Sequence, residues 1–260
     1  MKSISFCTTC RNRLWQIKQT LGHNLETMAD AHEIVLVDYG SSDGLSEWVW
    51  AHFKPFIESK KLVFFEVKNE VRWNVSRAKN LAHRLSSGSY VFNLDADNFV
   101  APKDLAYLEK VRQAQVSCWQ WSGSMIDGSY GRIGSPKAVF DDIGGYDETL
   151  LAMGAQDYDL LKRLSQVHKL IRLPAPTLEA VQNNDAQKMS ELKTYKPEDQ
   201  NAKTDYNAFN LINSKISELK LQYEGPKRLG GGFSYKGILN GRRVTINGFN
   251  EIILDANNKD

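Results

Sequence analysis

The chain has 260 residues, 42% hydrophobic and 25% charged, with a formal net charge of +2. That is enough chain for one large domain or two small ones, and the near-neutral balance argues against a globally basic nucleic-acid binder. No run reaches the roughly 18 apolar residues of a membrane span, and the start Met1-Lys2-Ser3 turns polar too soon for a secretory signal, so a cytoplasmic chain is expected, with peripheral membrane contact left open.

In chain order, Ser3–Cys7 is a short apolar strand. It runs into Cys7-Thr8-Thr9-Cys10, a C-x-x-C where strand meets helix. Such a pair is a thioredoxin-type redox candidate. The competing reading is two small, half-buried thiols, since the redox scaffold is much shorter than this chain. With three cysteines in all, there is no disulfide framework. Arg11–Leu21 reads as a helix with Leu14, Ile17 and Leu21 on one face. Glu33–Asp38 is a near-continuous apolar strand, as expected when both sheet faces are covered. After the turn Tyr39–Gly44 comes a helix over Leu45–Ile57, with Pro55 a candidate break. Leu62–Val67 is a third strand. Val75, Ala78, Leu81, Ala82 and Leu85 mark an amphipathic helix, and Ser89–Leu94 is a fourth strand that ends on Asp95 and Asp97. Strands separated by helices predict βαβ units, a mostly parallel sheet and a ligand site at the strands' carboxyl ends. Thr8, Thr9, Asp38, Asp95 and Asp97 all stand near that edge.

The middle alternates differently. Val116–Ser122 reads as a strand with one wet face, placing Trp119 and Trp121 on the same side. A glycine-rich stretch containing Gly144 and Gly145 follows, then a helix over Asp157–Val167. From about Asn183 the chain turns polar and Lys-rich, either a solvated face or a patch for an anionic partner. Tyr206–Leu221 looks helical with Phe209, Ile212, Ile216 and Leu219 inward. Short strands are expected after Gly230–Gly232, turning at Asn240-Gly241 and Asn247-Gly248.

Asp95 and Asp97 are the most informative pair. One residue apart on a strand they share a face, and two close carboxylates raise each other's pKa unless a cation relieves them. An isolated D-x-D can equally be an Asp-rich turn. Its context carries a resemblance. "VDYGSSDG" (Val37–Gly44), "NVSRAKNLA" (Asn74–Ala82), "NLDADN" (Asn93–Asn98) and "GGYDETLLAMGAQDYDLLKRL" (Gly144–Leu164) resemble, in order, the motifs of nucleotide-sugar glycosyltransferases of the GT-A fold. They are most similar to glycosyltransferase family 2 with a galactosyltransferase-like C-terminal motif. The resemblance implies a Rossmann-like α/β domain over 1–185, with a nucleotide part over about 1–100 and an acceptor part over about 101–185. Residues 186–260 would then be a small helical and hairpin extension.

It also implies roles. A Mn²⁺ or Mg²⁺ ion would be held by Asp97, with Asp95 on a metal-bound water or the ribose, and Asn183 standing nearest to where relatives carry a further histidine ligand. Thr8, Thr9 and Arg11 would cradle base and ribose. Asp38 would hydrogen-bond uracil or ribose, unless it only caps its turn, and Arg77 would reach the nucleotide from an R-x-x-N pair with Asn80. Gly144 and Gly145 would admit the donor sugar. Asp157 would be the catalytic base, in a Gln156-Asp157 pair where relatives have Glu-Asp, with Asp159 as runner-up. Trp73, Trp119 and Trp121 are either stacking platforms or core. The expected activity is inverting, metal-dependent transfer of a hexose or N-acetylhexosamine. The donor would be a UDP-sugar and the acceptor a hydroxyl of a glycan or lipid-linked saccharide. The alternatives are a catalytically weak sugar- or nucleotide-binding module, a nucleotidyltransferase lacking its phosphate loop, and a C-x-x-C redox protein.

Overall fold

The computed structural model describes residues 2–69, 72–124, 127–183, 191–192, 202–228, 233–248 and 251–254. The first part alternates as expected: β1 (Ile4–Cys10), α1 (Leu14–Thr27), β2 (Glu33–Asp38), α2 (Leu45–Glu58), β3 (Leu62–Val67), α3 (Val75–Arg84) and β4 (Tyr90–Asn93). Next come α4 (Pro102–Gln113), β5 (Trp119–Gln120), β6 (Ile133–Pro136), α5 (Lys137–Asp142), α6 (Gln156–Val167) and β7 (Ile171–Arg172). A long helix, α7 (Ala202–Glu224), precedes β8 (Ser234–Leu239), β9 (Arg242–Asn247) and β10 (Glu251–Leu254).

Among the described residues the strands form one α/β sheet in the order β10-β9-β8-β3-β2-β1-β4-β6-β5-β7. Its centre is parallel, β3-β2-β1-β4, while β6 pairs antiparallel on one side and β8, β9 and β10 do so on the other. Strand alternation divides the core in two. Ile4, Phe6, Leu36 and Phe64 pack under α1, α2 and α4, and Cys7, Val35, Val37 and Phe65 pack under α3 and α6. Both faces of β2 are buried, which explains its unbroken apolar run.

The same alternation dismisses the redox reading. Cys7 lies in one core and Cys10 in the other, because residues three apart on a strand point to opposite faces. Their Cα atoms are about 10 Å apart along an extended chain, beyond disulfide reach. Burial also pushes both thiols well above the ordinary range.

Other expectations change in detail. Helix α2 runs through Pro55 to Glu58; so near the helix end, proline's missing N–H costs one bond of the last turn. Strand β4 stops at Asn93, so Asp95 and Asp97 lie in a turn closed by the Asn98 N–H donating to the Asp95 carbonyl at 2.9 Å. The strand expected over Val116–Ser122 shrinks to Trp119–Gln120 and has no wet face: it lies between β6 and β7, and Trp119, Gln120 and Trp121 are all buried. The two tryptophans are core, Trp119 against Tyr90 and Trp121 against Phe92.

The helix α7 buries a different stripe from the apolar one expected. Ile212 and Leu219 are exposed, and Asn213 and Ser217 are fully buried. Each buried polar group has a partner, as burial demands. Asn213 Nδ2 donates to the carbonyls of Leu151, Met153 and Gly154, its Oδ1 accepts from the Leu151 N–H, and Ser217 Oγ donates to Asp159. Asp159 also pairs with Arg163 at 2.7 Å, and Arg228 and Lys220 converge on Asp147 at 2.8 and 2.7 Å. This ion cluster fastens α7 and the chain beyond it to α6. The turn at Asn240-Gly241 joins β8 to β9 as expected, with φ of 49° and 85°, and β8 then adds to the β3 edge of the main sheet. The Gly230–Gly232 run and Lys188, Lys193 and Lys196 lie outside the described residues.

Candidate functional site

At the carboxyl ends of β1 and β4 a cleft opens in two lobes. The smaller, about 230 Å³, is lined by Thr9, Arg11, Arg13, Trp73 and Glu191 among others. The larger, about 620 Å³, is bounded by Gly128–Gly131, Gly154–Tyr158, Ala180–Asn183 and one face of α7. The lobes share Asp95, Asp97, Gln156, Asp157, Asn183 and Tyr206. The D-x-D turn and Asp157 therefore stand where the lobes meet.

Two half-buried carboxylates, Asp95 and Asp157, converge there on one buried cation, with half-buried Asp97 beside them. Lys79 Nζ lies 2.8 Å from Asp157 Oδ1 and 3.3 Å from Asp95 Oδ1. Burial alone would lower the Lys79 pKa, but Asp157 and Asp95 raise it well above its ordinary value and keep it charged. Asp95 responds oppositely: burial pushes its carboxyl up, yet Lys79 and the Asn93 amide, 3.0 Å away, bring it below the usual range. Asp157 is raised, by burial first and by Asp95 against the pull of Lys79. Burial and the neighbouring Asp95 carry the Asp97 carboxyl up to about 6, against the pull of Arg132 and Arg13. Asp97 accepts from Asn98 Nδ2 at 2.6 Å and from Asn183 Nδ2 at 3.2 Å. Gly131 is the other requirement, since a Cβ there would sit 2.8 Å from Asp95 Oδ2 and 3.0 Å from Asp157 Oδ2.

Sequence reasoning missed Lys79. The signal was its position: it occupies the apolar stripe of α3 with Val75 and Ala82, four before and three after, where a lysine has no reason to be unless it has buried partners.

The structure brings together Thr9, Arg11, Asp95, Asp97, Asp157 and Asn183. Other expected site residues stand apart from the cleft lining. Thr8 is buried and donates to the Leu94 carbonyl at 2.8 Å, bracing β4 beside the D-x-D turn. Asp38 accepts from the Ser41 N–H at 2.8 Å in its own turn, and burial raises its pKa. The Arg77 guanidinium stacks 3.4 Å over Phe233. Asn80 brackets the Tyr146 backbone, accepting from its N–H and donating to its carbonyl, both at 2.8 Å. Gly144 and Gly145 have φ of 78° and 62° and are packed against Arg228 and Asn80 rather than facing the cleft. The glycines that do line the larger lobe are Gly128, Gly131 and Gly154. Arg11 is paired with Glu191 at 3.0 Å, and Trp73 is the one expected stacking tryptophan that reaches the smaller lobe. Asp159 is fully buried in the ion cluster, away from both lobes.

The donor set suits a hard divalent cation. Asp95 and Asp97 offer carboxylate oxygens and Asn183 an amide, a number consistent with Mg²⁺ or Mn²⁺, which take one or two protein carboxylates and complete their shell with water and phosphate oxygens. Among the described residues no three His, Cys, Asp or Glu side chains form a closed cage. The raised Asp97 is the sign of fit, a half-buried carboxylate pressed by burial and by its neighbour Asp95.

Residues 5–119 match the family model described as "Glycosyl transferase family 2". No curated protein matches the chain in sequence. Among solved structures, a mannosyltransferase from Pyrobaculum calidifontis in complex with GDP-Man and Mn²⁺ superposes with a TM-score of 0.57 at 18% identity, covering 84% of this chain and 64% of that one. The chain thus spans less than two thirds of that relative's length. TarS (1–349) of S. aureus superposes with a TM-score of 0.55 at 12% identity, over 86% of this chain and 72% of that one, and its complex with UDP-GlcNAc does so at 0.54 and 12%, over 86% and 73%. No helix among the described residues is long and apolar enough to cross a membrane. With that match over its first part and that superposition over most of its length, the chain has the GT-A fold and resembles glycosyltransferase family 2 over residues 5–119.

Proposed function

We propose that the chain is an inverting, metal-dependent hexosyltransferase that binds a UDP-sugar in the smaller lobe and an acceptor hydroxyl in the larger one. The observation that carries this reading is the placement of Asp157 with Asp95 and Asp97 where the lobes meet. Among the described residues of the larger lobe, Asp157 is the one carboxylate outside the D-x-D turn. The acceptor oxygen forms a bond to the anomeric carbon as its proton passes to Asp157. The bond from that carbon to the diphosphate oxygen breaks, and its electron pair leaves with the nucleoside diphosphate. One base on the acceptor side suits a single displacement. Burial, which raises Asp157, favours its taking a proton. Asp97 and Asp95 would hold a divalent cation, which would supply charge neutralisation for the diphosphate. Lys79 holds Asp157 and Asp95 in place, Thr9 and Arg11 lie where the nucleotide would sit, and Asn183 steadies Asp97.

A screen of UDP- and GDP-sugars with Mn²⁺, reading nucleotide release, tests the reading. The expected outcome is release from a UDP-sugar that EDTA abolishes and that Asp157→Ala reduces by at least about a hundredfold. Release of equal rate from GDP-sugars would overturn the UDP assignment, and undiminished release by Asp157→Ala in the presence of acceptor would remove that residue as the base.

A further inference from the structure

The walls of the larger lobe lie beyond the stretch that matches family 2. One of them is α7, whose Tyr206, Asn207, Asn210 and Ser214 recur at the three- to four-residue spacing of a single helical face. Asn210 is committed internally, its Oδ1 accepting from the Ala155 N–H at 3.0 Å and its Nδ2 donating to the Tyr206 carbonyl at 2.9 Å. Asn207 is exposed and Ser214 half-buried, and neither side chain hydrogen-bonds another described residue. They face the cavity with unused donors and acceptors.

The chemistry of the whole lobe is uniform. Apart from the three carboxylates at its floor, its described polar lining consists of amides, phenols and one hydroxyl, with no Lys, Arg or His among them. An amide or hydroxyl both donates and accepts, as does each hydroxyl of a sugar. Tyr130, Tyr158 and Tyr206 add aromatic faces suited to the C–H side of a pyranose ring. A phosphate or uronate would be met differently, by Arg or Lys in a fork or as a point charge, and the described lining holds neither. The volume, about 620 Å³, falls in the range of small-molecule sites.

We propose that this lobe is the acceptor subsite, that it takes a neutral, hydroxyl-rich saccharide end with no phosphate or carboxylate close to the attacking hydroxyl, and that Asn207 and Ser214 of α7 hydrogen-bond it. This rests on the glycosyltransferase reading above and narrows its acceptor class.

The test measures binding rather than turnover. Saturation-transfer NMR on the full chain with Mn²⁺ and UDP would compare neutral disaccharides (lactose, cellobiose, diacetylchitobiose) with sugar phosphates and uronate-containing disaccharides. The expected result is millimolar binding of at least one neutral sugar, with the charged probes weaker by about tenfold. The double variant Asn207→Ala/Ser214→Ala should weaken the neutral sugar by about fivefold, with an unchanged melting temperature showing that the fold is kept. Binding of charged probes as tight as neutral ones, no effect of the double variant, or no saccharide binding at all would each overturn the proposal. Failure of the underlying reading looks different: no nucleotide release from any donor and no UDP binding, whatever the saccharides do.

Discussion

Asp97 shows at the residue scale how a site is kept ready at the expense of the fold. Its carboxyl is raised to about 6 from an ordinary 3.8, so between those values the folded protein holds a proton that the unfolded chain has released. Stability therefore falls as pH rises through that window and stays lower above it, on the order of 3 kcal/mol for such a shift. Asp97→Asn removes this penalty while keeping an acceptor for Asn98. Without metal its melting temperature at pH 7 is expected to rise by several degrees over wild type, the difference closing near pH 4, while sugar transfer is lost. A scan of melting temperature against pH checks the sign. Lys79 is the converse case. Lys79→Met leaves the half-buried Asp95 and Asp157 without their cation, a loss at neutral pH below the about 3–5 kcal/mol of a fully buried pair that acid should partly restore as the carboxylates protonate. Denaturant unfolding at pH 5 and pH 7.5 measures it, and Lys79→Arg should recover most of the loss. Of the two, only the D-x-D was legible in the sequence. Lys79 needed the geometry of α3, because a lysine in a helical stripe shows its purpose only when its partners arrive from β4 and α6.

Local patterning foretold the elements well where their residues bury apolar groups and poorly where they bury polar ones. The run Glu33–Asp38 and the stripe of α3 announced themselves, and α4 could have been read from Pro102 at its start, two residues before the capping Asp104. Helix α7 was found but turned the wrong way, because Asn213 and Ser217 are buried for their hydrogen bonds and no hydropathy pattern encodes that. Asn213 grips the loop Leu151–Gly154 that leads into α6, and Asn210 holds Ala155, a non-glycine residue at φ 57° two positions before Asp157. Asn213→Leu keeps the volume but strips those bonds, which should cost about 2–4 kcal/mol. The aim of Asp157 would slacken, so kcat should fall more than donor KM rises. Equal changes in both would assign Asn213 to the fold alone.

Taken whole, the molecule is a parallel centre flanked by antiparallel strands, and the flank on β3 was hidden from the sequence because its pairing spans so much chain: Phe65 sits opposite Leu239. The hairpin at Asn240-Gly241 was readable as a local event, its destination was not. A fragment ending at residue 185 loses that flank and α7 together. It should be aggregated or molten by light scattering and near-ultraviolet circular dichroism, whereas a compact, cooperatively melting fragment would make 186–260 a separable appendage. The β3–β8 pairing also sets a schedule for synthesis. At roughly 5–20 residues per second the ribosome needs on the order of 10–30 seconds between making β3 and making its neighbour. Throughout that wait the edge of β3 stands open in the nascent chain, so the hazard for this protein falls during translation, and slower elongation or a shortage of chaperones should lower its soluble yield long before it alters the finished fold.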